Sequence, residues 1–193
     1  YFFEINSTLR LLFEAITLAT GIYGIYAQSM IYRIKARPSW DRTTTNFKFF
    51  GVMYIGAFLL AFVSGILGVY EAITPLLALG MLGALAQLFF SYEDIRGLDT
   101  IEKNQYQLQR TKRLLNENFI KVRNHRFASL FVGGVLLPLL ALVFVSSSPI
   151  TSVTILGFSL VSVLSSELAD RFLFYSTVVP LGMAGGFFVG KQR

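Results

Sequence analysis

The chain lacks cysteine and contains a single histidine, His125, among its 193 residues. Without thiolates it cannot form a disulfide, a cysteine-ligated zinc site or an iron–sulfur cluster of its own. One histidine also falls short of the two strong axial ligands that a membrane b-type haem normally takes. The sequence therefore predicts that this chain holds no haem, no iron–sulfur cluster and no other metal.

Charged residues are scarce as well, at 15% of the chain, whereas soluble domains carry about 25%. Hydrophobic residues make up 54%, and Phe alone accounts for 19 residues. These proportions exclude a disordered chain and argue against an ordinary soluble domain. The net charge is +6, but the basic residues lie between apolar runs and not on one soluble face. A nucleic-acid partner is therefore excluded.

Long apolar runs make up most of the chain. A transmembrane helix needs about 20 mainly apolar residues, and four runs of that length cover residues 11–32, 49–70, 72–92 and 127–147. A fifth apolar segment is interrupted by charges at residues 167–171, a stretch with neither Gly nor Pro. We expect one long helix over residues 150–178, ended by Pro180. Two helices joined by a turn are the alternative.

These runs predict an all-α, polytopic transmembrane helix bundle with five spans, or with six if the last segment is divided. Small residues at Ala57, Ala61 and Gly65 are four apart, a spacing that lets membrane helices approach closely. Gln87 is a lone polar residue in the third span, and we expect it to form an interhelical hydrogen bond.

Basic residues concentrate in two connections between spans. Residues 33–48 carry five Lys or Arg and residues 93–126 carry eight, while the connections at residue 71 and at residues 146–149 carry none. By the positive-inside rule, both basic loops face the cytoplasm. A basic loop can also be a docking surface for a partner, and its charge then does not fix the orientation.

The second basic loop has a helical pattern of apolar residues. They fall on one helix face and are Leu108, Leu115, Phe119 and Val122. Basic residues, among them Arg110 and Arg113, occupy the other faces. This pattern predicts an amphipathic helix at the membrane surface or against a partner. A solvated linker helix is the alternative.

Two short motifs contain the charges closest to the spans. Glu167 and Arg171 are four residues apart and share a helix face, about 25 Å along the last helix and near the membrane boundary. They either neutralise each other, border a quinone headgroup or proton path, or dock a partner subunit. Arg33, Arg37 and Trp40 either anchor the first span at the interface or form part of a docking surface for a soluble subunit.

Six segments carry a more specific pattern. They are residues 32–40, 49–51, 108–115, 132–138, 166–175 and 182–184. In this order, along nearly the whole chain, they resemble the dimethyl sulfoxide reductase membrane-anchor family. The resemblance implies a multi-pass protein of a prokaryotic cytoplasmic membrane. It also implies that residues 1–193 form a single bundle that corresponds to the C-terminal two-thirds of an eight-span anchor.

The resemblance also implies a function. Such anchors bind a quinol, either menaquinol or ubiquinol, and pass electrons to a four-cluster ferredoxin-like iron–sulfur subunit, which feeds a molybdopterin catalytic subunit. The residues expected near the quinone or on a proton path are Glu167, Arg171 and Tyr175. Those expected at the docking face are Arg33, Arg37, Trp40, Arg110 and Arg113. A small membrane transporter and a non-redox structural assembly subunit are the rival interpretations; a transporter would place polar groups at mid-membrane.

Overall fold

The computed structural model describes residues 7–99 and 106–179 of the chain. Within these ranges the protein is helical and has no strand. The eight α-helices are α1 (Ser7–Tyr32), α2 (Thr43–Phe50), α3 (Met53–Ile66), α4 (Ile73–Asp99), α5 (Tyr106–Arg113), α6 (Ile120–Phe131), α7 (Leu137–Phe144) and α8 (Pro149–Ser176).

The helices form five segments long and apolar enough to cross a membrane within the described residues. These segments are Ser7–Tyr32, Thr43–Ile66, Tyr70–Asp99, Ile120–Phe144 and Pro149–Ser176. The predicted all-α polytopic bundle with five spans is confirmed. The last segment runs as one helix through residues 167–171, so the two-helix alternative is wrong. Pro180, expected to end it, lies outside the described residues.

The second span is divided into two helices, which its apolar run does not indicate. α2 ends at Phe50 and α3 begins at Met53, with Gly51 and Val52 between them. A Cβ atom at Gly51 would overlap the side chain of Gln87 on α4. The break therefore lies where the Gln87 side chain of α4 packs against the backbone of this span. The span begins at Thr43 and ends at Ile66 instead of covering residues 49–70.

The core lies between α3, α4, α6, α7 and α8. Its buried side chains include Phe58, Ala61, Ile73, Leu77, Leu130 and Val163. Serines of α8 add hydrogen bonds to carbonyl oxygens of the fourth span. Ser152 donates to Ala141, Ser159 to Gly133, Ser162 to Ser129 and Ser166 to Arg126. In a membrane the hydrophobic effect does not drive helices together, because lipid tails are as apolar as the helix surfaces. Interhelical hydrogen bonds of this kind therefore help to hold the helices together.

A π-helical turn at Val132–Leu136 joins α6 to α7. A Cβ at Gly133 would lie 2.6 Å from the Cβ of Ser162 on α8, and a Cβ at Gly134 would lie 2.6 Å from that of Ala84 on α4. The two glycines therefore let α4 and α8 pack against this turn from two sides.

The predicted amphipathic helix is interrupted in the structure. α5 ends at Arg113, a π-helical turn follows at Leu114–Asn118, and Phe119 leaves helical geometry with φ −112° and ψ 19°. α6 then begins at Ile120, so the fourth span starts seven residues before the predicted position 127. Of the four apolar residues that would share one face, Leu108 lies in α5, Leu115 in the π-helical turn, Phe119 at the junction and Val122 in α6.

α1 lies apart from the core. Ser29 is its buried residue, and its contacts are mainly with α2. Large apolar side chains such as Leu11, Phe13 and Tyr23 are exposed. In a membrane, this surface faces lipid or another helix.

Candidate functional site

An aromatic cluster gathers residues that are far apart in the sequence. It consists of Tyr32, Trp40, Phe49, Phe174 and Tyr175. The Trp40 and Phe174 rings stack with centroids 5.0 Å apart, and Tyr32 stacks on Phe49 at 5.1 Å. Trp40 Nε1 donates a hydrogen bond of 2.9 Å to the carbonyl oxygen of Phe174, 134 residues away in the sequence. This bond and the stacked rings fix the end of α1 and the loop after it against the end of α8.

The cluster brings predicted docking residues next to a predicted quinone-vicinity residue. The Arg37 guanidinium lies 4.3 Å from the Trp40 ring centroid. The Trp40 and Tyr175 ring centroids are 5.9 Å apart, and the Tyr175 hydroxyl donates to the Tyr32 hydroxyl at 3.0 Å. Trp40 itself is buried, so its side chain positions this segment and does not present a free surface. Arg33 lies beside it and pairs with Asp41 at 3.5 Å.

The predicted Glu167–Arg171 pair is formed. Arg171 Nε donates to Glu167 Oε1 at 2.9 Å, and the side chains are 25% and 11% exposed. The Arg171 guanidinium also lies 4.5 Å from the Phe49 ring centroid. Arg171 thereby connects the carboxylate to the aromatic cluster.

A second ion pair beside it was not among the predicted site residues. Arg126 of α6 and Asp170 of α8 are 2.9 Å apart, with side chains only 6% and 3% exposed. Arg126 also donates to Ser91 Oγ on α4. The sequence contained a signal for Asp170: it lies four residues after Ser166 and three before Leu173, both on the buried face of α8.

A third charged group joins the second span to the third. Asp94 of α4 contacts Lys48 at 2.6 Å and Arg42 at 2.7 Å, and the Thr44 hydroxyl donates to it at 2.8 Å. Two of the cations that the sequence assigned to a basic loop therefore neutralise a half-buried carboxylate of the same chain.

A small polar cavity lies among these groups. Its volume is about 40 Å³, and its lining includes Ser91, Asp94, Thr111, Arg126 and Asp170. A cavity of this size with this many polar partners can hold ordered water. The polar cavity therefore adjoins both the buried Arg126–Asp170 pair and the Asp94 group.

An apolar groove of about 590 Å³ runs between the second span and α4. Phe47, Met53, Leu60, Leu79, Leu82 and Phe90 are among its lining residues. Gln87, also in the lining, is 2% exposed, and neither its amide nitrogen nor its amide oxygen has a hydrogen-bond partner in the described structure. The expected interhelical hydrogen bond of this side chain is therefore wrong.

The other predicted docking residues lie on α5. Arg110 is exposed, and Arg113 donates to Glu117 at 2.7 Å. That hydrogen bond, together with the carboxylate charge, raises the pKa of Arg113. Neither arginine contacts the aromatic cluster, but Thr111 between them donates to the Thr177 carbonyl at 2.8 Å. α5 is thereby fixed to the same end of α8.

Five long apolar helical segments, joined by a buried ion pair and serine hydrogen bonds, define a multi-pass α-helical membrane protein. In the part of the chain that the structure describes, no three acidic or histidine side chains are grouped to hold a metal ion. The family model of the DMSO reductase anchor subunit (DmsC) matches residues 1–177. The chain belongs to this family, which confirms the resemblance. No curated protein and no solved structure matches the chain significantly.

Proposed function

We propose that this protein is the membrane anchor of a respiratory molybdenum and iron–sulfur oxidoreductase, and that it binds menaquinol or ubiquinol and passes the electrons to an iron–sulfur subunit. Family membership supports the anchor role. The aromatic cluster is the observation that supports quinol binding and electron transfer. It joins the basic loop after α1, through Trp40, to the Glu167–Arg171 ion pair near the membrane boundary. A four-cluster ferredoxin-like subunit and a molybdopterin catalytic subunit complete the complex.

The residues around the aromatic cluster suit a quinol. When bound, a quinol supplies two electrons and two protons on oxidation. Aromatic rings stack with its ring, the Arg171 guanidinium donates to an oxygen, and the Glu167 carboxylate beside it accepts a proton. Tyr175 lies at the exposed side of the same group. The protein's contribution is position and a proton exit.

The basic residues at this end of the helix bundle suit the docking of an iron–sulfur subunit. Arg33 and Arg37 lie on the loop that Trp40 fixes, and Arg110 and Arg113 lie on α5. Guanidinium groups pair well with carboxylates at interfaces. A partner docked here would bring its clusters near the bound quinol.

Two substitutions test the proposal in the purified complex. Glu167→Gln and Arg171→Ala should each slow quinol-dependent turnover by about tenfold, the effect of losing roughly 1.4 kcal/mol of interaction. Activity with an artificial soluble electron donor should not change, because the catalytic subunit is untouched. Glu14→Gln serves as the control, since Glu14 forms an exposed i,i+4 pair with Arg10 on α1. Equal loss of both activities in the Glu167 and Arg171 variants would show that the pair is merely structural.

A further inference from the structure

Tyr54 carries a buried hydroxyl group that packing does not explain. The side chain lies in the first turn of α3, is only 3% exposed and belongs to the hydrophobic core. Its hydroxyl has no hydrogen-bond partner within the described structure. Leaving a buried hydroxyl unpaired costs about 1–3 kcal/mol, and a phenylalanine would fill the same space without that cost. The surroundings of this hydroxyl therefore indicate what it does.

The packing of Tyr54 directs its hydroxyl away from α4. A Cβ atom at Gly83 of α4 would lie 2.6 Å from the Tyr54 Cβ, so the base of this side chain rests directly on the α4 backbone. At its other end, the hydroxyl lies in the electrostatic field of four charged side chains on α6 and α8. These are Arg126, Glu167, Asp170 and Arg171. The ring therefore extends from α4 towards the charged groups of both ion pairs.

The two ion pairs adjoin different parts of the molecule. The Glu167–Arg171 pair borders the aromatic cluster, because the Arg171 guanidinium lies 4.5 Å from the centroid of a cluster ring. The Arg126–Asp170 pair borders the polar cavity, whose lining includes both of its residues. Of the two carboxylates that act on the Tyr54 hydroxyl, one therefore lies beside the aromatic cluster and the other beside the polar cavity.

A tyrosine hydroxyl can accept a hydrogen bond and donate one at the same time. In Tyr54 both capacities are free. Its oxygen can take a proton from protonated Glu167 while its own proton passes to the Asp170 carboxylate, so one O–H bond forms for each that breaks and the phenol stays neutral. The nearby Arg126 charge disfavours a protonated Asp170, which drives the proton onward to water in the cavity.

We propose that the Tyr54 hydroxyl relays protons from Glu167 to Asp170, and thus from the aromatic cluster to the polar cavity. This inference rests on the proposed function and specifies the route of its proton exit. The proton passes from the quinol hydroxyl to Glu167, then through Tyr54 to Asp170 and to cavity water, while the electrons pass to the iron–sulfur subunit. Tyr54 acts through Glu167 and does not touch the quinol, so it is a positioning residue for proton transfer.

The test follows reduction of the partner subunit's clusters by a reduced menaquinone analogue, using stopped-flow absorbance on the purified complex in lipid nanodiscs. Tyr54→Phe should slow this reduction by about tenfold or more. The ratio of the rates in H2O and D2O should rise, because proton transfer then crosses a gap that the hydroxyl bridged. Reduction of the clusters by dithionite should not change. Thermal stability should not fall, since the substitution removes only an unpaired hydroxyl.

Tyr23→Phe is the matched control, because it removes the same hydroxyl from an exposed tyrosine of α1. It should react as the unsubstituted complex does. An unchanged rate in Tyr54→Phe would overturn the relay. A slower reduction with an unchanged isotope ratio would also overturn it, because Tyr54 would then be merely structural. Both results leave quinol-dependent reduction, and with it the proposed function, intact. Absence of quinol-dependent reduction in the unsubstituted complex would instead overturn the proposed function together with this inference.

Discussion

Arg126 and Asp170 form an ion pair in a buried position, where either charge would be unstable without the other. Their side chains are 6% and 3% exposed at 2.9 Å separation, and Arg126 also bonds Ser91. Removing one partner of such a pair leaves an uncompensated buried charge. The pair therefore fixes α6 against α8 at the level of the polar cavity.

Asp170→Ala should lower the free energy of unfolding by roughly 3–5 kcal/mol. Unfolding in mixed detergent micelles, followed by loss of helical signal, measures this. The exposed Arg10–Glu14 pair on α1 provides the comparison, because Glu14→Ala should leave the free energy of unfolding nearly unchanged. The double variant Arg126→Met with Asp170→Leu should recover most of the loss. A single Asp170→Ala variant as stable as the unsubstituted protein would contradict the role given to this pair.

Some contacts of single residues could be predicted from the sequence, and others could not. Glu167 and Arg171 could be paired from their spacing alone, because four residues on one helix bring side chains together. The partner of Arg126 could not be found in this way, since it lies on another helix. The sequence also could not show that the Gln87 amide lacks hydrogen-bond partners, because this side chain packs against Gly51 only in the folded chain.

At the scale of elements, hydropathy predicted the spans, and local geometry modified them. The helix break at Gly51 and the π-helical turns at Leu114–Asn118 and Val132–Leu136 leave the apolar pattern almost unchanged. The break at Gly51 and the turn at Val132–Leu136 lie at close contacts with other helices, so a pattern within one segment does not indicate them. π-helical turns are often found at functional sites, and the one at Val132–Leu136 lets the backbone of the fourth span approach α8 closely at Gly133.

That close approach gives a prediction for Gly133. Gly133→Ala should destabilise the bundle by about 1–3 kcal/mol, because the new methyl group has no room between Ser159 and Ser162. Gly21→Ala is the matched control on α1, where nothing lies within 4 Å of the added Cβ. It should leave stability unchanged or slightly higher, since alanine favours helix. If the same unfolding assay gives equal stabilities for both variants, the account of the glycine pair is wrong.

For the whole molecule, the membrane class followed from composition and the long apolar runs. The juxtaposition of the loop after α1 with the end of α8 did not, because it rests on the contact between Trp40 and Phe174 across 134 residues. The sequence motifs indicated the loop after α1 and the end of α8 as separate sites, and the fold brings these two segments together. The proposed electron path uses this one end of the bundle for quinol, proton exit and docking.

The central claim is that this membrane protein passes electrons from a quinol to an iron–sulfur partner. The most direct test is electron paramagnetic resonance of the purified complex in lipid nanodiscs after anaerobic addition of a reduced menaquinone analogue. The account predicts reduced-cluster signals from the complex, and none from the soluble subunits alone. Clusters that dithionite reduces but the quinol does not, in the intact complex, would contradict it.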